Sequence, residues 1–274
     1  MSGFLSQVCA QARARAIEAA RDEPLEALRA RALGRPAPPG FAAALAGGGV
    51  AVIAEVKRAS PSRGHLAAIP DPAALARQYV RGGAKAVSVL TEPTHFAGSL
   101  DDLAAVAAAV PLPVLRKDFV VDPYQVLQAR AAGAAAVLLI VAALPQPDLA
   151  DLLMAAAHAG LDALVEVHDP SEAERAAQAH RAASTGQPLV IGVNARDLAA
   201  LTVDPDRFEA VRGALPPGAI TVAESGIRGP GDVRRLASLG ADAVLVGEHV
   251  ATAADPAAAV RALVTAGTRQ EAAP

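Results

Sequence analysis

Tryptophan is absent, and Phe and Tyr are so scarce that aromatic residues make up 3% of the 274 positions. A nucleic-acid surface built on stacking platforms has little to draw on, and a formal charge of -3 supplies no basic stripe in their place. We therefore expect no nucleic-acid partner. Cysteine is reduced to one residue, Cys9, which rules out an internal disulfide framework and a cluster of thiolate ligands, and suits a reducing compartment. No apolar run spans a bilayer's thickness without a charge or a proline. Residues 1–23 mix Arg, Glu and Asp into their apolar positions, unlike a secretory leader. The expectation is a soluble, cytoplasmic protein with no membrane partner.

What the chain does have is apolar mass: 53% hydrophobic residues against 19% charged, enough for one sizeable core. We read residues 1–274 as a single domain. Residues 4–21 carry Leu5, Val8, Ala12 and Ala16 at helical spacing, a short helix follows over 25–32, and a Gly/Pro stretch precedes another over 41–45. Residues 1–48 are too few to hold a core alone and are expected to pack as a helical extension on a barrel end. The Arg residues at 13, 15 and 21 read as a solvated face. Gly47-Gly48-Gly49 lacks the Gly-Lys-Ser/Thr ending of a phosphate loop and reads as a linker.

From Val50 onward, strand-like runs at 50–56, 86–90, 114–115, 135–140, 163–167, 189–193, 220–223 and 243–246 alternate with Ala-rich helical segments. Glycines before several runs (Gly82-Gly83, Gly133, Gly160, Gly240) suit the left-handed ends of helices about to re-enter a sheet. Eight such units predict a (β/α)8 barrel, a TIM barrel with an N-terminal helical extension. A doubly wound sheet is the competing fold, but it wants a Gly-rich first turn that is missing.

Chemistry in such a barrel sits where the strands end. The first run ends in Glu55 and Lys57, two apart and so on one face, followed by Ser60-Pro61-Ser62 and Gly64, read as a mobile non-helical loop. The other ends supply Glu92 and Phe96, then Lys117 and Asp118, Glu166 and His168, Asn194 and Arg196, Glu224-Ser225-Gly226, and Gly247-Glu248. Lysines and carboxylates converging on one mouth shift one another's pKa values, which suits acid and base chemistry. The turns at Ser225-Gly226 and at Gly247 fall where barrels often bind phosphate through backbone N–H groups, so a phosphorylated small molecule is the expected ligand.

IAEVKRASPSRG, LRKDFVVDPYQ, LVEVHD, IGVNARDL, ESGI and ADAVLVGE, in this order over residues 50–264, resemble the indole-3-glycerol phosphate synthase family of tryptophan biosynthesis. The resemblance implies closure of a pyrrole ring on 1-(2-carboxyphenylamino)-1-deoxyribulose 5-phosphate with loss of carbon dioxide and water, by a lyase without metal or organic cofactor. Carried over by position, it implies that Lys117 protonates the substrate ketone with Glu55 as its neighbouring anion. Glu166 would take the proton lost in dehydration. Lys57 would grip the anthranilate carboxylate and expel the hydroxyl, Asn194 and Arg196 would orient the substrate, and Ser225 would hold a hydroxyl. Ser60, Phe96, Glu224, Gly226, Gly247 and Glu248 would complete the binding of substrate and phosphate. A monomer or weak homo-oligomer is expected.

One departure concerns Asn194-Ala195-Arg196, where the family pattern reads Asn-Asn-Arg. The middle side chain of such a triplet points away from the mouth, so the change bears on where Arg196 sits rather than on the chemistry. Asp118 reads as a structural partner on the other face from Lys117, His168 as a cap of the next helix, and His65 as solvated. Three other functions compete. They are an aldolase-like enzyme with a Schiff base on Lys117, a ring-opening isomerase for which Cys9 is badly placed, and a binder of phosphorylated ligands without turnover.

Overall fold

The computed structural model describes residues 3–61, 63–197 and 202–268. Ser62 of the first loop, Leu198 of the fourth motif and the outermost ends of the expected 1–274 domain lie outside the described residues. Three helices open the chain: α1 (Gly3–Asp22), α2 (Leu25–Leu33) and α3 (Phe41–Leu45). The strands are β1 (Ala51–Val56), a small hairpin of β2 (Ala59–Ser60) and β3 (Gly64–His65), then β4 (Ala86–Leu90), β5 (Val114–Lys117), β6 (Ala136–Ile140), β7 (Asp162–Val167), β8 (Val190–Asn194), β9 (Ile220–Glu224) and β10 (Ala243–Val246). All but the hairpin close into one barrel in the order β1-β10-β9-β8-β7-β6-β5-β4, every pair parallel. Closure excludes the doubly wound sheet.

The runs became strands because each is largely apolar, with Val or Ile in every one, and is buried between helices outside and packed layers inside, the pattern of a sheet buried on both faces. They start and stop within one or two residues of expectation, with β5 extended to include Arg116 and Lys117. The helices between them begin on a signal the periodicity alone does not weigh. Asp71, Asp122, Asp169 and Asp255 each precede a proline and each accept a hydrogen bond from the backbone of the following turn. Proline loses nothing at that first position, and the aspartate satisfies an otherwise unpaired N–H. At the other end, Gly83 and Gly133 cap their helices with φ of 91° and 97°, as their place before a strand suggested. Among the described residues no helix is long and apolar enough to cross a membrane.

The extension wraps the barrel from end to end. Helix α3 buries Phe41, Ala42 and Leu45, and its Ala42 N–H donates to Asp162 Oδ2 at 2.9 Å, at the N-terminal end of β7. Helix α2 packs Leu28 and Ala32 against Tyr124 and Ala131 of helix Pro123–Ala132, and the Tyr124 hydroxyl donates to the carbonyls of Ala19 and Glu23. Helix α1 reaches the mouth. The solvated reading of Arg15 is corrected there: its guanidinium approaches Glu92 at 3.7 Å and Asp118 at 3.9 Å.

Beneath that contact lies a buried polar network. Arg116 Nη2 donates to Asp118 Oδ2 at 2.9 Å, the Thr91 hydroxyl donates to the same oxygen at 2.7 Å, and Asp118 Oδ1 accepts from the Phe119 N–H at 2.8 Å. Arg116 Nη1 donates to the Gln125 carbonyl at 2.6 Å. Asp118 is thus structural, and it fixes the strand end that carries Lys117. Replacing it leaves the Arg116 charge buried without its counter-ion, a loss on the order of 3–5 kcal/mol. Urea denaturation of Asp118→Ala should register a drop of that size; a change near zero would remove the network from the account of stability.

Candidate active site at the barrel mouth

Two charged layers meet where the strands end. Lys117 Nζ, at the end of β5, donates to Glu166 Oε2 at 2.9 Å and stands 3.2 Å from Glu224 Oε2. Glu55 pairs elsewhere: Lys57 Nζ lies 3.8 Å from its Oε1, and the Ser88 hydroxyl donates to its Oε2 at 3.1 Å. The expectation that Glu55 is the immediate anion beside Lys117 is therefore adjusted. The direct partners come from β7 and β9, and Glu55 acts on Lys117 from further off.

The electrostatics follow. Burial disfavours the Lys117 ammonium, but Glu166, Glu224 and Glu55 outweigh it and hold its pKa above the ordinary lysine value. Lys57 shifts the other way, because burial, Arg196 and the charge of Lys117 outweigh Glu55 and Glu248. Glu166 is held below the ordinary carboxylate value: burial opposes this, yet Lys117 and His168 prevail. Glu224 is pushed up to about 7 by burial, aided by Glu166 and Glu55 and opposed by Lys117. One mouth thus holds a committed cation, a lysine that releases its proton more easily, a committed anion and a carboxyl that titrates near neutrality.

Backbone gaps make room for these groups. A Cβ at Gly192, on β8, would lie 1.9 Å from Glu224 Oε1, and one at Gly247 would lie 2.6 Å from Glu55 Oε1. Only glycine lets those carboxylates occupy the barrel interior.

The space above the charges has two lobes of opposite character. One, about 90 Å³, is lined by Phe4, Phe96, Phe119, Leu90, Leu138 and Ile140 over Lys117 and Glu166. Phe96 and Phe119 lie 6.4 Å apart, and Lys57 Nζ sits 5.8 Å over the Phe96 ring. The Glu92 carboxylate accepts from the N–H groups of Thr94, His95 and Phe96, so it holds in place this short turn at the wall of the lobe that Glu92 and Phe96 both line. The other lobe, about 760 Å³, is lined by Gly226, Gly247, Glu248, Arg63, Arg228 and His249. Glu55, Lys57, Arg196, Ser225 and Leu245 border both.

The remaining expected residues fall into place around that border. Asn194 is buried, and its Oδ1 accepts from the Arg196 N–H at 2.9 Å. Arg196 also bridges to Val203 in a short antiparallel pairing. Ala195 points away from the mouth, buried beside Phe208 and Leu236, as the triplet reading required. Ser225 and Gly226 both take positive φ, 66° and 73°, turning the backbone toward the larger lobe. Ser60 is buried at the mouth on the β2–β3 hairpin, where the sequence reading had a loop without strands. The hairpin is pinned below by Arg58, whose guanidinium engages Asp102 and the Ile69 carbonyl, and above by Arg63, 2.8 Å from Glu248 Oε1. Sequence reasoning missed Phe4, Phe119, Leu138 and Ile140, since apolar residues on a buried strand or a surface helix carry no mark of facing a ligand. It also missed Arg63, whose partner is 185 positions away.

Comparison with known proteins agrees with this geometry. The family pattern described as indole-3-glycerol phosphate synthase matches residues 5–263. The indole-3-glycerol phosphate synthase of Mycolicibacterium vanbaalenii is 57% identical over 243 residues, covering 89% of this chain and 87% of the relative. That of Mycobacterium avium is 56% identical over 244 residues with the same coverage. Among solved structures, 3-hexulose-6-phosphate synthase from Salmonella typhimurium superposes with a TM-score of 0.63 at 18% identity, covering 79% of this chain and 98% of its own, a likeness of fold alone. With its defining pattern running through nearly the whole barrel and extension, the chain belongs to the indole-3-glycerol phosphate synthase family.

Proposed function

We propose that this chain closes the indole ring of indole-3-glycerol phosphate from 1-(2-carboxyphenylamino)-1-deoxyribulose 5-phosphate. The observation that carries the reading is the pair of unlike lobes that meet at Glu55, Lys57, Arg196 and Ser225, with Lys117, Glu166 and Glu224 clustered in the wall of the aromatic one. An aromatic ring suits the phenylalanine-lined lobe, a phosphate suits the turns at Gly226 and Gly247, and the keto carbon of the substrate then lies between them, over the charges.

Proton bookkeeping assigns the roles. As the aromatic carbon attacks the ketone, Lys117 protonates the developing alkoxide, and carbon dioxide leaves as its bonding pair returns to the ring. Lys57 holds the departing carboxylate, then protonates the hydroxyl so that it leaves as water; its lowered pKa makes it a readier proton donor than an ordinary lysine. Glu166 takes the proton from the neighbouring carbon to complete the double bond. Two protons are given and one recovered, so each turnover draws one from solvent. Glu55 steadies Lys57, Asn194 places Arg196, and Ser225 holds a substrate hydroxyl. Ser60, Phe96, Glu224, Gly226, Gly247 and Glu248 complete the walls. The enzyme works in the cytoplasm on a phosphorylated small molecule, as a monomer or weak homo-oligomer, and its own side chains supply the acid and base without metal or cofactor.

The aldolase-like alternative wants a neutral lysine nucleophile. Lys117, flanked by two carboxylates and raised in pKa, is held as an ammonium and is poorly suited to a Schiff base.

Indole fluorescence should appear when purified protein meets the substrate, and borohydride should trap no adduct. Lys117→Met and Glu166→Gln should each lower kcat by roughly two orders of magnitude with the fold intact, the scale of losing a general acid or base; wild-type turnover in either would strip that residue of its role. Glu224 offers a test by pH. Its folded pKa of about 7 lies above the ordinary 4.5, so its contribution to stability is full below about 4.5 and lost as pH rises through about 7. Thermal melts should show the wild type losing stability relative to Glu224→Gln across that window. A constant gap would mean that Glu224 titrates elsewhere.

A further inference from the structure

His168 stands two residues past Glu166 on the same strand end. Capping the next helix, the task expected of it, belongs instead to Asp169, whose Oδ1 accepts from the Glu172 N–H at 2.8 Å. The imidazole is fixed from behind: Nδ1 lies 3.0 Å from Glu172 Oε2, and the same oxygen accepts from the His168 N–H at 2.8 Å. Its other nitrogen, Nε2, faces Glu166 Oε1 at 3.5 Å. Both of these atoms are buried, and neither has a hydrogen-bond partner among the described residues. Two orphaned polar atoms aimed at each other beside a reaction site ask for a reason, because each costs stability where it stands.

The charged groups around the ring are Glu166 on its own strand, Glu172 on helix Pro170–Ala183, and Arg207 on helix Arg207–Arg212, which opposes a positive ring. Burial also opposes it, yet the two carboxylates prevail and raise the histidine above its ordinary value.

We propose that His168 is a positioning residue for Glu166: clamped by Glu172, its imidazolium keeps the Glu166 carboxylate ionised and turned into the cavity until the dehydration step. This rests on the base role given to Glu166 above. The order of proton transfers supplies the need. Lys117 supports the Glu166 anion in the resting site but gives up its proton at ring closure, the first step. When Glu166 must act, that support has been discharged, and burial alone would draw a proton onto the carboxylate too early. A second cation, on the far side and uninvolved in the first step, holds the anion through the interval. It moves no proton itself, so the stoichiometry is unchanged.

The test compares the pH dependence of kcat in wild type and His168→Gln, whose amide keeps a polar contact but carries no charge. The acid limb should move up by roughly one pH unit or more, the effect of removing an opposite charge within a few ångströms, while the rate on the alkaline side falls much less. Substrate ionisations are common to both enzymes and cancel. A uniform fall across all pH values, or an unmoved limb, would overturn the proposal. NMR titration of the His168 ring supplies a reading independent of turnover. Its midpoint should fall in both Glu166→Gln and Glu172→Gln, and a midpoint unchanged in Glu166→Gln overturns the pairing. Should Glu166→Gln retain full activity, the base role fails, while this titration still reports whether the two side chains are coupled.

Discussion

An ammonium group inside a closed ring of parallel strands is the constraint that the architecture answers. Taking most of Lys117 out of water costs several kcal/mol unless counter-charges stand within reach. Glu166 and Glu224 provide them directly, and Glu55 provides a smaller share while pairing with Lys57. Three carboxylates against two lysines leave an excess of negative charge. Burial, aided by the neighbouring Glu166 and Glu55, pushes the pKa of Glu224 up to about 7, so this carboxyl is the one that takes up a proton most easily. The backbone bears the imprint: position 192 on β8 and position 247 just past β10 must lack side chains because carboxylate oxygens fill the space a Cβ would take.

Around that charge cluster the fold divides labour by lobe. The hydrophobic lobe draws on three sources far apart in sequence: Phe4 from helix α1, Phe96 from the turn after β4, and Phe119 from the loop after β5. Arg15 ties these together, since Glu92 holds the Phe96 turn and Asp118 holds the Phe119 backbone, and the Arg15 guanidinium lies near both. The N-terminal extension thus closes the bottom of the barrel with α3 and furnishes part of the wall at its top. The polar lobe is built differently, from turns at Gly226 and Gly247 and from arginines at its rim.

Much of this was legible in the residues, and the limits are physical. Strand runs and their order were readable because a sheet buried on both faces leaves an unbroken apolar signature, and a place at the C-terminal end of each run marked Lys57, Lys117, Glu166, Asn194 and Glu224 as neighbours. Pairing was not readable. Glu55 and Lys57 share a strand face, so sequence cannot tell whether Glu55 serves Lys57 or the lysine one strand pair away; barrel curvature decides it. Nor could helical spacing separate Arg15, which meets Glu92 and Asp118, from Arg13, which is exposed to solvent. Phe4 and Leu138 look like any core residue until the cavity they border is seen.

The electrostatics also bear on why this barrel suits proton transfer rather than covalent catalysis. A lysine between two carboxylates is a poor nucleophile and, taken alone, a reluctant acid, because its partners stabilise the ammonium. In the proposed reaction that reluctance disappears at ring closure, where the ketone oxygen becomes an alkoxide far more basic than any amine, so the transfer would run downhill at the moment it is needed and at no other. In that proposal Glu224, whose pKa is pushed up to about 7, would limit the change in buried charge as Lys117 becomes neutral. On the proposed assignment the resting pairings act as a lock on timing: the proton would stay on Lys117 until the carbon–carbon bond is forming.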